Sequence, residues 1–86
     1  MSTSPTWIID PGHGWLAVPY DDAARAASTG YGYLDAASGT AYLEEDCEAG
    51  EWLSRHPEID PRTIPVTRFE LDAPLRFLPR LPGGAA

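Results

Sequence analysis

The sequence predicts an α+β domain: a small antiparallel sheet of four to five strands, built from two hairpins and a C-terminal strand, with two short helices. Three observations point there. Residues 6–10 with 15–18, and 31–35 with 40–44, are pairs of β-prone runs joined by short turn-rich segments, the pattern of two hairpins. Val66 to Leu71 is a further β-prone run. Helix-opening signals stand at Asp21 and Asp46, in stretches too short for long helices.

In chain order, Thr6-Trp7-Ile8-Ile9-Asp10 reads as a strand and Trp15-Leu16-Ala17-Val18 as its return. Between them, Pro11 presets its φ and Gly12 can supply the positive φ of a type II turn. Pro19 ends the hairpin, and Asp21 caps a helix over Asp22–Ser28 with Gly30 at its C′ position. Tyr31–Asp35 and Thr40–Glu44 form the second hairpin, with Tyr33-Leu34 facing Tyr42-Leu43 and residues 36–39 as the loop.

The second helix opens at Asp46. Ala49, Trp52, Leu53 and His56 recur at i, i+3, i+4 and i+7 as its apolar face, and Pro57 stops it. Glu44, Glu48 and Glu51 fall mostly off that face, towards solvent. After a proline-punctuated connection and the strand Val66–Leu71, the tail is expected to run extended through Leu75-Arg76-Phe77. Residues 1–5 and 82–86 are expected to be flexible.

The 86 residues make one domain, with a net charge of −7 and arginine as the only basic residue besides histidine. The charge is uneven: residues 1–51 carry a net −8 and residues 52–86 a net +1. A negative field repels nucleic acid and anionic membranes and attracts basic surfaces. It also keeps a small protein soluble. The single Cys47 permits no internal disulfide. Residues 1–6 precede no apolar run of the signal-peptide kind, and no stretch approaches the ~20 apolar residues of a membrane span. The chain is read as cytoplasmic, with no membrane partner.

Two clusters hold residues capable of chemistry. Asp10 and His13 stand three apart, a spacing open to acid–base work or the start of a metal site. The alternative is a hairpin turn with His13 in solvent. The second cluster is the acidic run Glu44, Glu45, Asp46, Glu48 and Glu51. Its spacing does not match a calcium loop, so neither metal nor cofactor is expected. Its carboxylates suit the place that phosphates take in a nucleic-acid cradle, where arginines grip them bidentately. The alternative is a solvated helix N-terminus with acids placed for the dipole. Cys47, among carboxylates, is expected to be buried or inert. Most aromatics are expected in the core, and Pro79-Arg80-Leu81-Pro82 is read as tail.

Asp10-Pro11-Gly12-His13-Gly14-Trp15-Leu16-x-Val18-Pro19 together with Tyr42-Leu43-Glu44-Glu45-Asp46-Cys47-Glu48-Ala49 resembles a family of small proteins carried by phages, plasmids and other mobile elements. Glu48 stands where that family usually shows aspartate. Tyr31-Gly32-Tyr33 and Pro74-Leu75-Arg76 are also similar. The resemblance implies a mobile-element origin and nothing catalytic. Short acidic phage proteins often act by occupying a host protein. By that analogy the expectation is a non-enzymatic, anti-CRISPR-like inhibitor. Glu44, Glu45, Asp46, Glu48 and Glu51 would meet a basic surface of a host nucleic-acid-handling complex, without direct nucleic-acid binding. The alternatives are a small acid–base or metal-dependent enzyme using Asp10 and His13, and a self-associating accessory protein.

Overall fold

A computed structural model describes residues 4–82; the outermost residues of both expected flexible ends, 1–3 and 83–86, lie outside the described residues. The strands are β1 (Thr6–Ile9), β2 (Gly14–Pro19), β3 (Tyr33–Asp35), β4 (Thr40–Glu44) and β5 (Val66–Arg68). The helices are α1 (Asp22–Ala27) and α2 (Glu48–Ser54), with single 3-10 turns at Pro61–Thr63 and Pro74–Phe77. The strands make one sheet in the order β3-β4-β2-β1-β5.

The α+β class and both hairpins stand as the sequence predicts. Tyr33 faces Tyr42 across the second hairpin, while Leu34 faces Ala41 rather than Leu43. The sheet is mixed, not purely antiparallel, because β5 lies parallel to β1 with Trp7 opposite Val66. The chain leaves β4 at the far side of the sheet, and α2 with residues 55–65 carries it across to the free edge of β1. A crossover of that kind delivers a strand parallel to its neighbour.

Asp21 caps α1 as expected, its carboxylate accepting from the Ala24 N–H at 3.0 Å. Gly30 is not the C′ residue of that helix, because the cap is Ser28. It supplies a positive φ of 91° further along the loop to β3. Asp46 is not the cap of α2 either. Cys47 takes that place without a side-chain hydrogen bond. Gly12 has no positive φ. The first hairpin turn is made instead by Asp10, whose side chain accepts from Gly12 N and His13 N at 3.0 and 2.9 Å. The expected extended tail at 75–77 is a 3-10 turn, and residues 79–81 run along β3, with Leu34 N donating to Pro79 O and Leu81 N to Gly32 O.

Strand alternation divides the sheet into two faces. Leu16, Val18, Ala41 and Leu43 point towards the helices, where Ala24, Ala27, Ala49 and Trp52 complete the larger core. Alanines on both helices let them approach closely. Trp15 and Tyr33 point the other way, against Ala73 and Leu75 of the C-terminal segment. β2 is therefore buried on both faces and centres the fold. The edge at β5 is unlike that at β3: it lies exposed, with Val66, Phe69 and Leu71 facing solvent. Among the described residues no helix is long and apolar enough to cross a membrane.

Candidate functional site

Asp10 ends β1 with its side chain fully buried. Besides the two turn N–H groups, it accepts from Ala73 N at 2.8 Å and from Arg76 Nε and Nη2 at 2.7 and 2.9 Å. Arg76 holds the Asp10 carboxyl well below the usual carboxylate range, against the opposing pull of burial, and the three backbone donors add to it. Both carboxylate oxygens are thus occupied by donors. Asp10 and His13 form no acid–base pair, and the turn reading with His13 in solvent describes the site: His13 gives Asp10 only its backbone N–H. Its exposed ring tilts against Trp15 with centroids 5.9 Å apart. No group of three His, Cys, Asp or Glu side chains among the described residues is placed to hold a metal ion.

Glu48 is the second buried acid, and here the expectation of a solvent-facing carboxylate is overturned: its exposure is 0%. Oε2 accepts from Thr29 N at 2.6 Å, Thr29 Oγ1 at 3.1 Å and Tyr31 N at 3.3 Å, and Oε1 from Glu44 N at 2.9 Å. The side chain opens the first turn of α2 and leans back towards its N-terminus, as helical side chains do. It gathers the loop before β3 and the end of β4. The signal was present in the sequence. Glu48 precedes Trp52 by four residues, one helical turn, and so shares its buried face. Beside it, a Cβ at Gly32 would run into the Tyr42 carbonyl oxygen.

The two sequence motifs thus reach the rest of the chain in two places. Asp10 of the first motif holds Ala73 and Arg76 near the closing segment. Glu48 of the second holds the residues flanking Gly30. The acids that suggest chemistry in the sequence organise the backbone in the structure.

The rest of the acidic run stays on the surface. Glu45 and Asp46 are exposed, and Glu44 is partly so, accepting from Asp46 N at 3.1 Å and Cys47 Sγ at 3.5 Å. Glu51 is paired with Arg55 at 3.0 Å. Cys47 is exposed rather than buried. Native protein should therefore react fully with a disulfide-exchange reagent such as DTNB at pH 8, without denaturant. A thiol that reacts only after unfolding contradicts the structure.

Cys47 and Glu44 stand at the rim of a cleft of about 390 Å³ on the sheet face opposite the helices. Trp15 and Tyr33, both buried, meet edge to face at 6.1 Å within it. Over Trp15 lies the Arg76 guanidinium, 5.0 Å from the ring centre. Over Tyr33 lies that of Arg80 at 4.6 Å, fixed by a 2.7 Å bond from Nη1 to the Tyr31 carbonyl. Arg80 belongs to the stretch that sequence reasoning assigned to the tail. The pairing of residues 79–81 with β3 is what sets it over Tyr33. The cleft is assembled from segments up to 67 residues apart (His13 to Arg80), which no local motif announces. No family model matches this chain, and neither does any curated protein or solved structure.

Proposed function

We propose that this chain is a non-enzymatic binding protein, an inhibitor that occupies a basic surface of a host nucleic-acid-handling complex through the turn Glu44-Glu45-Asp46. One observation supports this reading. Three of the surface arginines sit against acids: Arg25 with Asp22, Arg55 with Glu51, Arg62 with Asp60. Glu44, Glu45 and Asp46 are three consecutive carboxylates without an ion pair among the described residues. Such a charge cluster costs self-repulsion that a basic partner relieves. Glu51 contributes less, because Arg55 already answers it, and Glu48 contributes nothing directly, being buried. The mobile-element resemblance supplies the class of target.

The test begins with capture of partners from bacterial lysate by the tagged chain, followed by the triple change Glu44→Gln, Glu45→Gln, Asp46→Asn. Glu48 is left intact to preserve the fold. A nucleic-acid-handling complex should be recovered, and added nucleic acid should compete it away. The triple variant should associate about tenfold more slowly at low salt, with an unchanged melting temperature. Equal binding by the triple variant at low and high salt would overturn the reading, as would recovery of no such complex.

A further inference from the structure

The cleft has a charge pattern of its own, and it shares Glu44 with the proposed partner surface. Its volume of about 390 Å³ lies in the range of small-molecule sites, roughly 300–1,000 Å³. Its aromatic floor is packed and its two guanidiniums are each held by a hydrogen bond and a ring face, so the site is largely formed before anything binds.

The charges are not equivalent. Arg76 is answered from beneath by the buried Asp10 carboxylate. Arg80 has only the neutral Tyr31 carbonyl, and no carboxylate among the described residues pairs with it. Among the described residues, its Nε and Nη2 donors have no protein acceptor. Glu44, also lining the cleft, accepts only from neutral donors, the Asp46 N–H and the Cys47 thiol. One cation and one anion therefore share a preformed cleft without a counter-charge. A simple anion would satisfy Arg80 but meet Glu44 and the net charge of −7. A simple cation would satisfy Glu44 but meet Arg80. A molecule carrying both charges meets both. The upper faces of Trp15 and Tyr33 are already covered by guanidiniums, and Tyr31, 62% exposed, offers a surface for an apolar or aromatic body at the cleft.

We propose that this cleft binds a small zwitterion with an aromatic body, of the amino-acid class. Arg80 takes the carboxylate, Glu44 takes the ammonium group, and Tyr31 stacks on the ring. Charge-assisted hydrogen bonds of this kind are about twice as strong as neutral ones, and the planar guanidinium suits a carboxylate.

The experiment is an amide and indole NMR titration of the full chain with three probes: L-phenylalanine, 3-phenylpropionate, which lacks the amine, and phenethylamine, which lacks the carboxylate. L-Phenylalanine should shift the Trp15 indole and the Tyr31 and Tyr33 amides, and bind about tenfold tighter than either half. Arg80→Ala should weaken L-phenylalanine about tenfold. Because Arg80→Ala also removes a contact of the tail, Glu44→Gln provides an independent arm. It keeps an oxygen for the Asp46 N–H, leaves the fold intact, and should erase the preference for L-phenylalanine over 3-phenylpropionate. The proposal is overturned if millimolar L-phenylalanine moves no cleft signal. It is equally overturned if the wild type binds a half-probe as well as the zwitterion, or if Glu44→Gln keeps the preference.

Discussion

Replacing Glu48 by alanine should destabilise the domain by about 3–5 kcal/mol, as expected when one side of a buried, charged hydrogen-bonded set is removed. Most substitutions in an acidic run cost little, because the side chain is solvated. This one strands three backbone N–H groups, those of Thr29, Tyr31 and Glu44, and the Thr29 hydroxyl. It also opens a void beside Gly32. For a chain of 86 residues, total stability is roughly 4–13 kcal/mol, so the loss is a large share. The melting temperature should fall by at least about 12 °C.

Glu48→Gln separates the hydrogen bonds from the volume. Glutamine fills the same space, yet both carboxylate oxygens face donors. Either orientation of the amide therefore sets its NH2 group against an N–H. A loss of about 1–3 kcal/mol is expected, with faster hydrogen exchange at Thr29, Tyr31 and Glu44. If Glu48→Gln melts with the wild type, the donors are satisfied some other way and this account of the anchor is wrong. Neutralising the exposed Glu45 and Asp46 should leave the melting temperature almost unchanged, since surface charges of this kind are worth about 0–1 kcal/mol.

The contrast between Glu48 and Glu45 shows what the sequence makes legible. Local devices can be read: β-prone runs joined by turn residues, the Asp21 cap, the stop at Pro57. Each involves residues within a few positions of one another, and the structure places them within one or two residues of expectation. What a side chain does across the chain is harder to read. Glu48 carries the same charge as its neighbours, and only its register with Trp52, one turn on, separates it from them. Charge and register point to opposite faces here, and register decides: Glu48 is buried. The parallel placement of β5 escaped for a related reason. Val66 to Arg68 is a recognisable strand, but its partner β1 is about 60 residues earlier, and loop-closure entropy grows too slowly with length to favour nearer partners decisively. The cleft is the extreme case. Its cation Arg80 and its carboxylate Glu44 are brought together by a tail segment that pairs with an edge strand, and neither has a local sequence signature.

Asp10 provides the second large effect, and its dependence on pH has a definite sign. Asp10→Asn keeps the shape and removes the charge. It leaves the Arg76 guanidinium without its carboxylate and turns an NH2 group towards N–H donors at one of the two oxygens. A loss of about 3 kcal/mol at pH 7 is expected, in the range for breaking a buried ion pair. The folded Asp10 carboxyl titrates well below its ordinary value of 3.8, chiefly because of Arg76. Above the ordinary value both folded and unfolded chains hold Asp10 ionised, and its contribution is fully present. As pH falls through that value, the unfolded chain takes up a proton that the folded chain refuses, so stability declines with falling pH. The decline continues until the folded carboxyl also titrates. The other carboxylates titrate in the same region, so the informative quantity is the difference in stability between wild type and Asp10→Asn, measured by urea unfolding at each pH. That difference should be constant from pH 7 to about pH 5 and then shrink steadily below about pH 4. Arg76→Lys should reproduce part of the loss, because lysine offers a point charge where the site holds a two-pronged guanidinium stacked on Trp15. A difference that stays constant down to pH 2.5 would mean that the loss comes from the amide NH2 set against N–H donors and not from the removed charge. The turn at Gly12 and His13 would then stand without the pairing to Arg76.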